Sequence, residues 1–106
     1  MNNMGHTTGS WAILPSGVHG EGVHVTRHFR RGEIIDVAIE KALGFLPYVT
    51  FFGGKVNHSL RPNCELWFND DKWYLRTLRD LRAGEEALAD YNNTPWFIMK
   101  PDPSWT

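Results

Sequence analysis

Asn57-His58-Ser59, followed closely by Pro62-Asn63, brings an amide, an imidazole and a hydroxyl together in one short stretch. A second cluster, Gly84-Glu85-Glu86, runs on to Asp90-Tyr91, and a third, Gly20-Glu21-Gly22, offers backbone that a ligand can approach closely. His58 beside Ser59 invites a hydrolase reading. Neighbours on an extended chain point to opposite faces, however, and no nucleophile-elbow pattern surrounds a serine, so this pair cannot act as base and nucleophile. Gly20-Glu21-Gly22 lacks the third glycine and the helix start of a dinucleotide fingerprint. Of the five histidines, His24 and His28 are four apart, but on a predicted strand that spacing makes no metal site, and no metal is expected. Arg27, Arg30 and Arg31 form a local basic patch that reads as a solvated turn.

The elements that must position these residues are short. Trp11-Ala12-Ile13-Leu14 reads as a strand stopped by Pro15-Ser16-Gly17, and Val23-His24-Val25-Thr26 as a second. Arg30-Arg31-Gly32 turns the chain into a third β-rich piece, Glu33-Ile34-Ile35-Asp36-Val37. Over 38–46, Ile39, Leu43 and Leu46 recur at spacings of four and three, which predicts a helical turn or two before Pro47. Tyr48-Val49-Thr50-Phe51-Phe52 reads as β, broken by Gly53-Gly54. The clearest signal is a hairpin, 64–68 against 72–78 across Asn69-Asp70-Asp71. After Tyr91, Asn92, Asn93 and three prolines end regular structure. The class is a mostly-β domain of short strands in small sheets with a short helical insert.

With 106 residues there is one domain, and 42% apolar residues, including five Trp, suffice for a small core. A net charge of −1 removes the uniform attraction that coating nucleic acid or an acidic membrane needs, so direct binding of either is not expected. Cys64, the single cysteine, excludes an internal disulfide and a Cys-rich zinc module, and fits an intracellular setting, cytoplasm or host nucleus. No stretch reads as an export signal or a spanning helix. The expected division is a flexible arm over 1–10, the domain over 11–97 and a Pro- and Trp-containing tail over 98–106.

Taken in order, the clusters become specific. Ser16-Gly17-Val18-His19-Gly20-Glu21-Gly22-Val23 with Arg31-Gly32-Glu33-Ile34-Ile35, then Asn57-His58-Ser59-Leu60-Arg61-Pro62-Asn63-Cys64, then Gly84-Glu85-Glu86-Ala87-Leu88-Ala89-Asp90-Tyr91 resembles the SET-domain protein lysine methyltransferases, small stand-alone viral and bacterial members in particular. The resemblance spans roughly 11–97. It implies the β-clip fold, with a C-terminal pseudoknot in which the Asn-His-Ser segment threads beneath the loop ending in the tyrosine. It further implies methyl transfer from S-adenosyl-L-methionine to the ε-amine of a lysine in a protein, such as a histone tail or another host or viral protein.

Carried over residue by residue, the resemblance makes Tyr91 the catalytic tyrosine and assigns Gly20, Glu21, Gly22, Asn57 and His58 to the cofactor. Lys55 is the candidate partner of the cofactor carboxylate, and Trp96 lies where an aromatic ring covers the cofactor or the lysine channel. The aromatic residue frequent two before that tyrosine is Ala89 here, which implies a roomier channel and di- or trimethylation unless Tyr48, Phe52 or Trp96 fills the gap. Leu60 replaces a frequent cysteine, and flanking zinc modules are absent. The lysine channel must then be closed by the aromatic tail or by a second subunit, and a homodimer is expected. The competing readings are a non-catalytic SET-like module, or a small all-β module binding a basic peptide through Glu85, Glu86, Asp90 and aromatic residues.

Overall fold

The computed structural model describes residues 10–95; the terminal arm, Trp96 and the tail lie outside them. The first strands form a separate two-stranded sheet. β1 (Trp11–Pro15) pairs antiparallel with β2 (Glu21–Val25), Trp11 opposite Val25 and Pro15 opposite Glu21. Gly20 turns the chain between them at φ +52°, a conformation few L side chains adopt, and Ser16 N–H donates to Gly20 O across the turn at 2.8 Å. Trp11, Val23 and Val25 face the core, and the Trp11 indole N–H donates to Asp36 at 2.8 Å.

The remaining strands form one six-stranded sheet in the order β4-β3-β7-β6-β8-β5. β3 (Ile34–Ala42) and β4 (Leu46–Val49) are a hairpin where the sequence suggests a helix. Its three-residue connection has Leu43 at φ 55° and Gly44 at φ 82°, with Phe45 N–H donating to Ala42 O. The apolar spacing over 38–46 is matched equally by a bulged strand, and Leu43, central to the helical pattern, is 86% exposed. Over so short a window periodicity cannot decide, whereas β7 (Lys72–Thr77) pairs with β3 from Ile34 to Ile39, across two register shifts, and β4 pairs with it from Ile39 to Ala42. β4 is one of the two edge strands. Its Pro47 cannot donate to a further strand, and Leu46, Tyr48 and Val49 stay exposed.

The helix is instead α1 (Phe51–Gly54), a single turn cut out of the expected β-run. Thr50 caps it, accepting from Gly53 N–H at 2.9 Å while donating to Val37 O at 2.8 Å, so one hydroxyl fixes α1 to β3. Gly53 is required by contact: a Cβ there would lie 2.3 Å from the Ala38 carbonyl oxygen. The expected hairpin is present as β6 (Cys64–Asn69) and β7, and Asp70 and Asp71 both take positive φ in its turn. Phe29, Ile39, Leu75 and Leu81 fill the centre of the core, and the bridge between Phe29 and Leu81 ties the 26–33 and 78–85 turns together.

Candidate active site

The two shortest strands make the site. β5 (Asn57–His58) runs parallel to β8 (Leu88–Ala89), and β8 lies parallel to β6 on its other side, so the segment before Tyr91 is inserted between two stretches 57–58 and 64 that precede it. This is the expected threading. Two residues of ladder hold little by themselves, and Asn63 supplies the rest. Its buried side-chain amide accepts from Leu88 N–H at 2.8 Å and donates to Glu86 O at 2.8 Å, while its own carbonyl accepts from Leu78 N–H. The short side-chain amide presents a separate acceptor and donor to two backbone groups of one strand edge, which suits Asn to this position.

The knot fixes Tyr91. Its backbone N–H donates to His58 Nδ1 at 3.0 Å, so that ring nitrogen is an acceptor and the proton of neutral His58 sits on Nε2. The His58 ring is buried, 5.4 Å from the Tyr91 ring. Asp90 caps the turn that carries the tyrosine, accepting from Asn92 N–H at 2.9 Å. The Tyr91 hydroxyl donates to Val56 O, the carbonyl just before Asn57. Burial pushes the phenol above its ordinary value, so it stays protonated and can act only as a neutral hydrogen-bonding group.

The other side of Asn57 meets the Gly-x-Gly loop. Asn57 Nδ2 lies 3.0 Å from both His19 O and Glu21 O, 3.1 Å from Ser16 Oγ and 3.0 Å from Glu86 Oε2. Gly22 makes this closeness possible, since a Cβ there would stand 2.2 Å from Glu86 Oε2 and 2.9 Å from Asn57 Nδ2. Gly20 and Gly22 therefore serve different needs, backbone conformation and clearance. Lys55 Nζ is 3.5 Å from Glu21 Oε1 at the loop's outer edge, a mostly exposed pair of little energetic weight. Gly20, Glu21, Gly22, Lys55, Asn57 and His58 are thus brought together, with the His58 side chain committed to the Tyr91 turn.

The expected substrate residues divide. Tyr91 and Ala89 line an apolar cavity of about 200 Å³ together with Val56, Ile39, Val49 and Leu66. Tyr48 does not reach it: this side chain is exposed on edge strand β4 and its hydroxyl donates to Glu40 at 3.0 Å. Phe52 does not either, being buried against Trp11 with ring centroids 5.0 Å apart. Both were chosen by aromatic type, and α1 turns Phe52 inward while leaving its glycines to line the cavity. Trp96 lies outside the described residues. Two participants carry no role in the methyltransferase reading of the sequence, Ser16 and Glu86, the second named there only for the competing basic-peptide reading. The signal for Ser16 is a hydroxyl at the head of a Gly-containing turn, a common local backbone acceptor.

A family model described as the SET domain matches residues 48–92, the stretch from β4 through the knot to the turn after Tyr91. No curated protein matches the sequence. A solved structure from Plasmodium falciparum, of a protein proposed to be a histone methyltransferase, has a similar fold, with a TM-score of 0.67 at 16% identity over 85% of this chain and 99% of that one. At that identity the likeness is one of fold. The knot, the matched stretch that contains it and the shared fold agree: residues 48–92 match the SET domain, and the chain has the fold of that domain.

Proposed function

We propose that this protein transfers a methyl group from S-adenosyl-L-methionine to the ε-amine of a lysine in a protein substrate. The observation that carries the reading is that one residue, Tyr91, faces an apolar cavity of about 200 Å³ and is anchored by the His-Asn strand that also holds the Gly-x-Gly loop. The residues suit such a cofactor: a loop with no room for a side chain at Gly22, carbonyl oxygens of His19 and Glu21 converging beside Asn57, and Lys55 at the rim. Held by Gly20, Gly22, Asn57 and Lys55, the cofactor would supply a sulfonium methyl already activated for transfer to a neutral amine.

The chain's own residues then have a task of alignment rather than of nucleophilic attack. A lysine of ordinary pKa is neutral in only about one molecule in 2,500 at pH 7, and an apolar channel favours that neutral form because burial penalises the ammonium. Val56, Ala89 and Leu66 give the cavity that character. The Tyr91 hydroxyl and the Val56 carbonyl, already bonded to each other, are the polar pair at its wall that would orient the amine. No side chain in this arrangement is asked to act as a strong base.

Ala89 lines both this cavity and a second, mixed one of about 230 Å³, so the channel has room for an amine that already bears methyl groups. We therefore expect di- or trimethyl lysine as product, and Ala89→Phe should shift the product to monomethyl. The test incubates the protein with S-adenosylmethionine and a mixture of lysine-containing histone and non-histone peptides and reads methyl additions by mass spectrometry. Methylated lysine, lost in Tyr91→Phe, supports the reading. Cofactor binding without transfer to any protein would favour a non-catalytic SET module, and peptide capture without cofactor binding a simple basic-peptide reader.

A further inference from the structure

We infer that Glu86 is a positioning residue for the amino-acid end of the cofactor, acting through Ser16 and Asn57; the inference rests on the methyltransferase reading. One carboxylate joins all three segments of the site. Its two oxygens each lie 2.8 Å from Ser16 Oγ, Oε1 also accepts from Gly17 N–H at 3.3 Å, and Oε2 from Asn57 Nδ2 at 3.0 Å. Its backbone is held independently, by the bridge to His24, by Ala87 N–H donating to Val23 O at 2.8 Å and by the Asn63 amide on its carbonyl. The side chain is therefore presented from a fixed base.

The direction of one proton is what this accomplishes. A serine hydroxyl has a single hydrogen and two lone pairs. With its hydrogen given to Glu86, Ser16 Oγ must turn its lone pairs outward, where Val18 N–H at 2.8 Å and His19 N–H at 3.1 Å donate to it. Those two bonds wind the 16–20 turn around the hydroxyl and aim the His19 and Glu21 carbonyls at Asn57. Glu86 thus sets the shape of the Gly-x-Gly loop from the segment bridged to β2 at His24. A glutamine here would set an NH₂ against either the Asn57 NH₂ or the Gly17 N–H, two donors facing each other.

The test titrates S-adenosylmethionine into wild type, Glu86→Gln, Ser16→Ala and the double variant by calorimetry, with steady-state methyl transfer alongside. Loss of charge-assisted bonds of this kind should weaken cofactor binding by about ten- to a hundredfold. KM for the peptide should stay put, and kcat at saturating cofactor should stay within about threefold. If Glu86 acts through Ser16, the double variant loses no more than the worse single one. A wild type that binds no cofactor overturns the methyltransferase reading itself. A wild type that binds, with both single variants binding equally well, overturns only the role given to Glu86, as do additive losses in the double variant. Should Glu86→Gln fail to fold, Ser16→Ala decides alone, with unchanged affinity counting against the inference.

Discussion

Tyr91→Phe separates two meanings of the same hydrogen bond. In the structure the hydroxyl donates to Val56 O, and Val56 is 4% exposed, so the variant leaves a buried carbonyl without that donor. The direct loss is about 1 kcal/mol, rising to about 2–3 kcal/mol if the carbonyl finds no water. For a domain of this size that lowers the melting midpoint by roughly 4–8 °C per kcal/mol. If anchoring were all the hydroxyl did, the variant would remain folded at 25 °C, because a domain with a stability of about 5 kcal/mol keeps well over nine-tenths of its molecules native after such a loss. Its methyl transfer would then stay close to wild type. If the hydroxyl also aligns the amine, misplacement of the reacting atoms by about 1 Å is enough to cost on the order of a hundredfold. Single-turnover transfer at saturating cofactor, paired with a thermal melt, reads both effects. A lower midpoint with transfer within about threefold of wild type would refute the catalytic assignment.

Three further outcomes follow from particular contacts. Gly53→Ala forces a Cβ to within 2.3 Å of the Ala38 carbonyl, backbone against backbone, so α1 must leave β3 and stability should fall by about 3 kcal/mol, read by denaturant unfolding; a loss under about 0.5 kcal/mol would contradict the packing. Cys64 is buried and burial pushes its thiol up to about 12, so a thiol reagent at pH 8 should label it only on unfolding, and rapid labelling of the native protein would count against this environment. The same shift has a sign in stability. A thiol that ionises near 9 when unfolded and near 12 when folded favours the native state fully below pH 9 and loses that contribution as pH rises toward 12, so Cys64→Ala should flatten the alkaline limb of the stability profile.

How much of this was legible depends on how local the cause is. The hairpin at 64–77 was, because its alternation and its Asp-Asp turn lie within the same few residues. The 38–46 stretch was not, since Ile39, Leu43 and Leu46 fit both periods, and the sheet that receives Ile39 comes from β7, some thirty residues away. At the site, the order of three segments pointed to Asn57, His58 and Tyr91, and their meeting is a matter of backbone threading that the motif carries with it. Tyr48 and Phe52 were chosen by residue type, and type does not say which way a one-turn helix will face Phe52. The Ser16–Glu86 bond was invisible for a plainer reason: its partners are 70 residues apart, and either side chain alone looks like a polar turn residue.

The most direct test of the central claim is a thermal melt with and without S-adenosylmethionine, on wild type and on Asn57→Ala. Cofactor at a hundred times its dissociation constant adds about 2.7 kcal/mol to the native state, which should raise the midpoint by roughly 10–20 °C. The account predicts that rise in wild type and its loss in Asn57→Ala, whose amide is the meeting point of the Gly-x-Gly loop and the knot. A wild type whose midpoint does not move at millimolar cofactor would contradict it.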